Sequence, residues 1–400
     1  MANLIIDFLD VGQGDGIFIQ FPDSTQYSNS GFPLDGTTMM VDLGSLKNRT
    51  VTTKDILDYF RNHTRFGVSE GQTLDWLILT HGDADHYNRV KHFYDAFKPK
   101  ITNLLFSGRK SDYGSNNLID YLVNQHKKKK YTPINIVSAP DWYPAYIFNS
   151  DSAPGGVETF ISAMNILPFG DDGHTKNANS IVTHLVYGGN QIILSGDATR
   201  ETEAAILSTA DWYADNQEDA PDLVECTLLK VGHHGSTRTS ILPAWAEGTN
   251  PLFLVVSSDR HGVMDFDQDE TTGYRLPTEL CFSIFRENAN LANTDIEHSY
   301  VSSYDRGDYE AFNSKASMDD DIDEIDDPYP KSPRIEWKEI KTREGIYTTL
   351  AKMDAVKVNN KWADVGQHLQ AHFFEDGSMN MYSSLDTESG NHQVSAKPAS

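Results

Sequence analysis

Cysteines, basic residues and long apolar runs are scarce in this 400-residue sequence. Its two cysteines, Cys226 and Cys281, are most simply interpreted as buried thiols rather than as a disulfide framework, and a cytoplasmic location is the default expectation. No stretch approaches the roughly eighteen apolar residues of a transmembrane helix, so none is expected. Residues 1–7 have no basic region before their apolar run, and therefore no secretory signal is expected.

The shortage of basic residues makes the chain strongly acidic. Lys and Arg together number 33 against 58 Asp and Glu, which gives a formal net charge of −25. This charge argues against a broad nucleic-acid-binding surface, but not against a metal site that handles phosphate. The basic run at residues 127–130 follows a predicted helix, where such a run most often complements the helix dipole; a phosphate-steering role is the alternative.

Length and composition indicate a globular protein with a sizeable core. Hydrophobic residues make up 38% of the chain and aromatic residues 11%. We expect a core domain at residues 1–287 and an acidic insertion or linker at 288–333, which contains the acidic block at 319–327. Strands at 334–383 are expected to complete the same domain, with a separate small domain as the alternative, and 384–400 to form a disordered tail.

The chain is organised around residues 77–86, where an apolar run is followed at once by potential metal ligands. Residues 77–79 predict the end of a buried strand. The ligand-type residues that follow are His81, Asp83, Asp85 and His86. A tight turn at the end of a strand would converge them on one or two cations, whereas a plain polar loop is the alternative, because His, Asp and Gly are ordinary loop residues.

Ligand-type residues recur just after other predicted strands. Asp197, the His233-His234 pair and His261 each follow an apolar run. Strands that alternate with helices, and that deliver polar residues at one edge, describe an α/β layered fold with its site at that edge. Residues 138–160 contain several prolines and a Gly-Gly pair, and predict a long irregular loop.

A glycine-rich segment at residues 10–16 lies between predicted strands at 4–9 and 17–21. Its glycines permit a tight turn and let another segment or a ligand come close. Asp15 in this turn is a candidate supporting acid that orients a ligand histidine. A hairpin turn with capping aspartates explains the local sequence equally well.

Several segments together carry a resemblance to a known family. They are Asp10-Val11-Gly12-Gln13-Gly14-Asp15, His81-Gly82-Asp83-Ala84-Asp85-His86, Asn179-Ser180, Ser195-Gly196-Asp197-Ala198 and Leu229-Lys230-Val231-Gly232-His233-His234-Gly235-Ser236. In this order and spacing, over about residues 4–260, the chain resembles the hydrolase domain of ComEC-type competence proteins and their stand-alone relatives, a branch of the metallo-β-lactamase-fold hydrolases. The combination is specific, although the first motif alone would be weak.

The resemblance implies a four-layer αβ/βα sandwich with up to two divalent metal ions, Zn²⁺ or Mn²⁺, at the edge of the sheets. The ligands that it implies are His81, Asp83, Asp85, His86, Asp197 and His233. The first two would hold one metal and the next two the other, while Asp197 would bridge them and join Asp85 as a catalytic residue. Either His233 or its neighbour His234 would complete the second site.

The aspartate at position 83 bears on the metal and on the chemistry. The usual superfamily motif has a histidine there, and the ComEC-type branch shares the aspartate. Three aspartates with a few imidazoles suit Mn²⁺ or Mg²⁺ better than a histidine-rich zinc site does, although Zn²⁺ also accepts these ligands. The metals would activate a water molecule as the nucleophile and hold both reacting oxygens, which suits phosphodiesters.

Other positions leave alternatives open. His174 is a candidate metal ligand, whereas the Asn-Ser pair of the ComEC-type branch favours Asn179 as the residue that faces the site. Relatives have Gly-His-Pro after the last core strand, where this chain has residues 274–277 without a histidine. Either His261 substitutes or the second metal has fewer protein ligands. Lys230 ends a predicted strand behind the ligands, or steers an anion towards the metals.

The leading hypothesis is a metal-dependent phosphodiester hydrolase. The resemblance implies a nuclease, whereas the acidic charge fits a small nucleotide phosphodiesterase rather better. An ester, thioester or lactam hydrolase on the same fold is the second hypothesis, since a fold does not determine a substrate. A non-catalytic interaction module is the third, and the complete set of ligand residues argues against it.

Overall fold

The computed structural model describes residues 3–257 apart from 13, 29–31, 46–51, 115–116, 141–142 and 217–220, then 279–291, 338–340, 346–348, 350–358, 361–366 and 368–383. The predicted acidic block at 319–327 and the predicted tail at 384–400 lie outside the described residues. The division into domains at residues 287 and 333 therefore stays a prediction.

Strands and helices alternate through much of the chain. The strands are β1 (Leu4–Phe8), β2 (Gly16–Gln20), β3 (Thr38–Leu43), β4 (Thr73–Leu79), β5 (Lys100–Phe106), β6 (Asn135–Val137), β7 (Ala145–Phe148), β8 (Glu158–Ala163), β9 (Val182–Tyr187), β10 (Asn190–Leu194), β11 (Leu228–Lys230), β12 (Phe253–Val256), β13 (Lys338–Ile340), β14 (Ile346–Thr348), β15 (Leu350–Val358), β16 (Lys361–Gly366), β17 (Leu369–Phe373) and β18 (Met379–Ser383). The helices are α1 (Thr53–His63), α2 (Ala84–Tyr87), α3 (Val90–Phe97), α4 (Leu118–Lys129), α5 (Gly173–Ala178), α6 (Arg200–Asn216), α7 (Pro243–Thr249) and α8 (Glu279–Asn288).

Two mixed sheets form the centre of the fold. The larger has the strand order β13-β18-β17-β1-β2-β3-β4-β5-β6, and the smaller has β14-β12-β11-β10-β9-β8-β7; β15 and β16 pair with each other. Strands β3 to β6 run parallel in the first sheet, as do β10, β11, β12 and β14 in the second. Within each parallel set, the carboxyl ends of the strands therefore lie at one edge, where loops bring side chains together.

Successive side chains of each strand point to opposite faces of its sheet, so the hydrophobic residues form separate inner and outer layers. Inward-facing residues such as Ile6 and Val41 of the first sheet share a core with Leu185 and Leu228 of the second. The outer face of the first sheet packs against α1, α3 and α4, and the outer face of the second against α6, α7 and α8. This helix–sheet–sheet–helix arrangement confirms the predicted four-layer α/β sandwich.

Helix α1 shows how local sequence sets an element. Thr52 N donates to Asp55 Oδ2 (2.7 Å) and Asp55 N donates to Thr52 Oγ1 (3.3 Å), so both ends of a capping box are formed. Ile56 and Phe60 are buried on its inner face, four residues apart. The buried positions follow the helical spacing of the apolar residues.

The prediction of an irregular loop at 138–160 is wrong in part. Residues Ala145–Phe148 form β7, which pairs antiparallel with β8 from Glu158 onward. This strand lies at the end of the smaller sheet, and a run of only four apolar residues does not by itself identify a strand. The nearby prolines reinforced the wrong prediction.

The basic run at residues 127–130 lies near the amino end of β5 in the larger sheet. Helix α4 ends there, and Tyr131 contacts Lys100, the first residue of β5. The amino end of β5 is the edge opposite to the carboxyl end of the neighbouring parallel strand β4. The run therefore lies at the edge opposite to the residues that follow β4, which favours its interpretation as a helix end over a phosphate-steering role.

The C-terminal strands join the larger sheet. Strand β17 pairs antiparallel with β1, with Leu4 opposite Phe373, and β18 completes a hairpin on β17. The turn of this hairpin contains Asp376, whose carboxylate accepts hydrogen bonds from Ser378. Among the helices that the structure describes, none is both long and apolar enough to cross a bilayer.

Candidate metal centre

The loops at one edge of the two sheets bring the ligand-type residues together. His81 follows β4, Asp197 follows β10, and His233 and His234 follow β11. Asp42 lies next to the last residue of β3. Ligand atoms of His81, His86 and Asp197 lie within 4.8 Å of one another, and so do those of Asp85, His86 and His234.

The turn after β4 is held by close backbone packing. Short helix α2 begins at Ala84 and so carries both Asp85 and His86 into the site. Asp15 N donates to Asp85 O (3.1 Å), and Gly44 N donates to Asp15 O (2.9 Å). A Cβ atom at Gly44 would overlap the Asp85 backbone, so only glycine fits there. The glycine-rich segment therefore packs on the turn that carries Asp85 and His86 and holds it in place.

Asp197 lies between two groups of imidazoles. Its Oδ1 is 3.3 Å from His86 Nε2 and 3.6 Å from His234 Nε2. Its Oδ2 is 3.9 Å from His81 Nε2 and 3.9 Å from His233 Nε2. One carboxylate thus faces a different pair of histidines with each of its oxygens.

Asp83 and Asp85 also lie beside different histidines. Asp83 Oδ2 lies 3.9 Å from His81 Nε2, and Asp85 Oδ2 lies 3.5 Å from His234 Nε2. We name the group around Asp197 Oδ2 site A, which contains His81, Asp83 and His233. The group around Asp197 Oδ1 is site B, which contains Asp85, His86 and His234.

This division corrects the prediction for the histidine pair. The sequence assigned His233, with His234 as its alternative, to the same group as Asp85 and His86. The structure brings both histidines to the centre, but His234 joins Asp85 and His86 in site B, while His233 lies beside His81 in site A. The reason is local, because both residues have a positive φ, 48° and 52°, and their ring centroids are 6.4 Å apart.

The four imidazoles share one arrangement, in which Nδ1 is held from behind and Nε2 points into the centre. The Nδ1 partners are Thr80 Oγ1 (3.1 Å) and Ser180 Oγ (3.3 Å) for His81, Asp42 Oδ2 (2.7 Å) for His86, Thr239 Oγ1 (2.8 Å) for His233, and Ser257 O (2.9 Å) for His234. Metal-binding histidines are commonly held in this way, because the partner sets the tautomer and the ring orientation.

Buried atoms at site B test whether the residues fit a cation. His86 Nε2, His234 Nε2 and Asp197 Oδ1 are buried, and within the described part of the chain none of them has a hydrogen-bond partner. Buried polar atoms rarely stay unsatisfied in proteins, whereas imidazole nitrogens and a carboxylate oxygen that converge are a usual ligand set for a divalent ion. The residues fit such an ion.

The pKa shifts of the clustered residues also fit a bound cation. Burial opposes a charge on His86, but Asp197 and Asp42 raise the pKa of His86 well above its usual value. Burial would raise the pKa of Asp197, yet His86 and His234 lower it well below its usual range. Burial also lowers the pKa of His81, and His86 adds to that effect. A divalent cation would supply positive charge to these carboxylates without protonating an imidazole.

Asp15 and Lys230 support the centre differently from the prediction. Lys230 is completely buried and pairs with Asp15, and its Nζ also donates to Gly196 O (3.1 Å). A buried, paired ammonium cannot steer an anion from solvent, so that alternative is wrong. Asp15 lies 3.9 Å from His86 Nδ1, whereas Asp42 contacts the same nitrogen at 2.7 Å. Asp42, rather than Asp15, orients this histidine.

Two further candidates are corrected by their contacts. His174 is about half exposed (46%) and lies 3.3 Å from Glu201, and it belongs to none of the candidate metal groups among the described residues. The amide oxygen of Asn179 accepts a hydrogen bond from Leu167 N (2.7 Å), so this side chain holds the preceding loop. Asn177 faces the centre instead, because residues two apart on a helical turn point in nearly opposite directions. His261 and residues 274–277 lie outside the described residues.

The sequence held weak signals for the residues that were missed. Asp42 precedes a Leu-Gly pair at the end of a predicted strand, which is the position where the other ligand-type residues also occur. Asn177 and Asn179 both shortly precede Ser180, and the sequence alone does not indicate which of the two side chains turns inward.

A family model described as the metallo-beta-lactamase superfamily matches residues 35–244. The chain is 22% identical over 274 residues to ComE operon protein 3 of Bacillus subtilis (strain 168), covering 64% of this chain and 28% of that protein. It is 24% identical over 256 residues to Recombination protein 2 of Haemophilus influenzae, covering 64% of this chain and 24% of that protein. The match thus spans about a quarter of each relative's length.

Solved structures of similar fold share little sequence with the chain. The metallo-beta-lactamase fold protein YhfI from Bacillus subtilis is 11% identical, with a TM-score of 0.37, and covers 72% of this chain and 94% of its own. The short form of human tRNase Z is 10% identical, with a TM-score of 0.34, and covers 63% of this chain and 90% of its own.

Proposed function

Because the chain belongs to the metallo-beta-lactamase superfamily of metallo-hydrolases, we propose that it hydrolyses phosphodiester bonds at a centre of two divalent metal ions. The observation that carries the proposal is the position of Asp197, whose oxygens face two separate groups of histidine and aspartate. A carboxylate placed in this way suits a bridge between two cations.

The ligand residues favour hard or borderline cations. Site A and site B each combine two imidazoles with carboxylate oxygens, which suits Mn²⁺ and also accepts Zn²⁺. When bound, such ions supply Lewis acidity that lowers the pKa of a water molecule and offsets the charge on a phosphodiester. Two such ions would also offset the local repulsion among Asp83, Asp85 and Asp197.

The chain's own groups position this chemistry. Asp42 holds His86, and Ser180 Oγ lies 3.3 Å from His81 Nδ1 and accepts from Asp197 N (3.2 Å). Lys176 Nζ lies 3.3 Å from Asp83 Oδ1, at the partly exposed side of site A. There we expect Lys176 to contact a non-bridging oxygen of the substrate phosphate, in addition to balancing Asp83.

The substrate that we propose is a nucleic acid or a nucleotide phosphodiester. One curated relative is named as a recombination protein, and the ComEC-type resemblance implies a nuclease. The net charge of −25 opposes long polyanions, so we expect faster cleavage of short single strands and of compact nucleotide diesters than of duplex DNA.

The test is a metal-dependence assay followed by a substrate panel. Purified protein with Mn²⁺ or Zn²⁺ should cleave bis-p-nitrophenyl phosphate, and the panel should contain single-stranded DNA, RNA, duplex DNA, cyclic nucleotides, an aryl ester, a thioester and a β-lactam. Asp85→Ala and His233→Ala should each lower kcat/KM by about 100-fold or more. Asp151→Asn, on an exposed turn, is the control that should keep full activity.

The proposal would be contradicted by protein that binds no transition metal and cleaves no phosphodiester. Cleavage of an ester, a thioester or a lactam without phosphodiester cleavage would keep the metallo-hydrolase and replace the substrate class.

A further inference from the structure

Asn177 lies at site A, although an asparagine in a sequence does not by itself indicate a metal ligand. It is on α5, which begins after Asp172, whose side chain accepts a hydrogen bond from Thr175 N (2.8 Å). Asn177 is only 7% exposed, and its side chain extends between two members of site A.

The two terminal atoms of the Asn177 amide meet different neighbours. One lies 3.2 Å from His233 Nε2. The other lies 3.2 Å from His81 Nε2, 3.1 Å from Asp83 Oδ2 and 3.0 Å from Gly173 O. The second amide atom is therefore surrounded by atoms that accept hydrogen bonds or bind cations.

Two orientations of the Asn177 amide suit the atoms around it. Without a cation, the amide NH₂ faces the acceptors and donates to them. With a cation beside it, the amide oxygen takes that place, because this oxygen, His81 Nε2 and Asp83 Oδ2 would then all be ligands. Ligands at right angles around an ion with bonds of about 2.1 Å lie roughly 3 Å apart, which is close to the separations around this amide atom.

We propose that Asn177 binds the site A cation through its amide oxygen. This inference rests on the two-metal centre proposed above. It would give site A the ligands His81, Asp83, His233, Asp197 and Asn177, whereas site B would have Asp85, His86, His234 and Asp197. The additional oxygen makes site A better suited to an ion of higher coordination number such as Mn²⁺, and the two sites become unequal.

The test replaces the amide with a carboxylate or with an apolar side chain of similar size. The protein and its variants are freed of metal with a chelator, and Mn²⁺ binding is measured by calorimetry and by metal content after gel filtration. Asn177→Leu should lose about tenfold or more in affinity at one of two sites. Asn177→Asp should keep or tighten binding at that site, since a carboxylate oxygen replaces the amide oxygen.

The aspartate variant separates a ligand from a hydrogen-bond donor. An aspartate cannot donate to Asp83 Oδ2 or to Gly173 O, and it adds a negative charge beside Asp83. If Asn177 only donates hydrogen bonds, Asn177→Asp should bind Mn²⁺ as weakly as Asn177→Leu, and that result would overturn the inference. Wild-type affinity in Asn177→Leu would overturn it as well.

Controls distinguish failure of this inference from failure of the proposed function. Asn179→Asp makes the same chemical change two residues away, on a side chain that contacts Leu167 N, and should leave both affinities unchanged. Circular dichroism of each metal-free variant checks folding. If the wild type binds two Mn²⁺ and cleaves phosphodiesters while Asn177→Leu matches it, only this inference fails. A wild type that binds no metal overturns both.

Discussion

Asp42 holds His86, a proposed metal ligand, from an uncommon backbone conformation. Its φ is 57°, in the left-handed region, and the residue is completely buried. Its carboxylate accepts from Thr80 N (2.8 Å) and Thr80 Oγ1 (2.5 Å), and contacts His86 Nδ1 at 2.7 Å. Burial raises the pKa of Asp42, while His86 lowers it. The carboxylate therefore relies on these partners, and it keeps the Nε2 atom of His86 directed at Asp197.

We predict that Asp42→Asn lowers metal affinity by about 10- to 100-fold, because the amide holds His86 less firmly and no longer stabilises its Nδ1–H tautomer. Calorimetric titration with Mn²⁺ and with Zn²⁺ measures the change. The matched control is Asp75→Asn, since the Asp75 carboxylate also accepts from a threonine backbone N–H and hydroxyl, those of Thr38. Asp75 lies at the other end of β4, so equal losses in the two variants would contradict the prediction.

At the scale of elements, β1 carries a buried acid between its two neighbouring strands. Asp7 is completely buried, and its carboxylate accepts from Gln20 Nε2 of β2 (3.4 Å) and Gln370 Nε2 of β17 (2.5 Å). Burial raises the pKa of Asp7 to about 7, although hydrogen bonds from Gln370, Tyr59 and Gln20 act to lower it. The stability of the folded protein is therefore expected to depend on pH through Asp7.

We predict that Asp7→Asn flattens the pH dependence of stability between about pH 4 and 7. In this range the unfolded chain ionises Asp7 while the folded protein keeps it protonated, so the wild type loses stability as the pH rises. The loss attributable to Asp7 reaches about 4 kcal/mol near pH 7 and stays constant above it. Urea unfolding at pH 5, 6, 7 and 8 measures it.

The exposed residue Asp151 provides the control for this experiment. Asp151→Asn should reproduce the wild-type slope of unfolding free energy against pH. A slope that Asp7→Asn leaves unchanged would show that Asp7 ionises normally in the folded protein.

At the scale of the whole molecule, one buried ion pair joins the two sheets. Lys230 ends β11 of the smaller sheet, and Asp15 immediately precedes β2 of the larger sheet. Both are buried and pair with each other directly behind site B. Removing one partner leaves an uncompensated buried charge, which is more costly than removing both.

We predict that Lys230→Met destabilises the protein by about 3–5 kcal/mol and that adding Asp15→Asn restores part of the loss. Urea unfolding of the two single variants and the double variant, in chelator so that metal binding does not contribute, gives a double-mutant cycle. The coupling energy should be about 1–3 kcal/mol in favour of the pair. Additive losses would mean that the pair makes no net contribution.

Metal binding should also stabilise the molecule as a whole. A ligand that binds only the folded chain adds about 2.7 kcal/mol at a concentration 100 times its Kd, so chelator should lower the Tm of the wild type and Mn²⁺ should restore it. Asp197→Asn removes the carboxylate that both sites share, and its Tm should respond much less. A wild type whose Tm is the same with chelator and with Mn²⁺ would argue against a metal centre in the folded protein.

The fold and most of the candidate centre could be predicted from the sequence because those features are local. An apolar strand followed at once by His81, Asp83, Asp85 and His86 needs only a few neighbouring residues to be seen. Asp197 likewise follows an apolar strand. The alternation of strands with helices predicted the layered architecture. Beyond that, the matching motifs determined the family.

Only the tertiary structure decided how the side chains are distributed within the centre. His233 and His234 are adjacent in sequence, yet their successive left-handed conformations send one to site A and the other to site B. Asn177 rather than Asn179 faces inward because of the phase of a short helical turn, and Asp42 meets His86 only because β3 pairs with β4. Sequence spacing determines which residue types are available, whereas backbone dihedral angles and strand pairing determine which atoms meet.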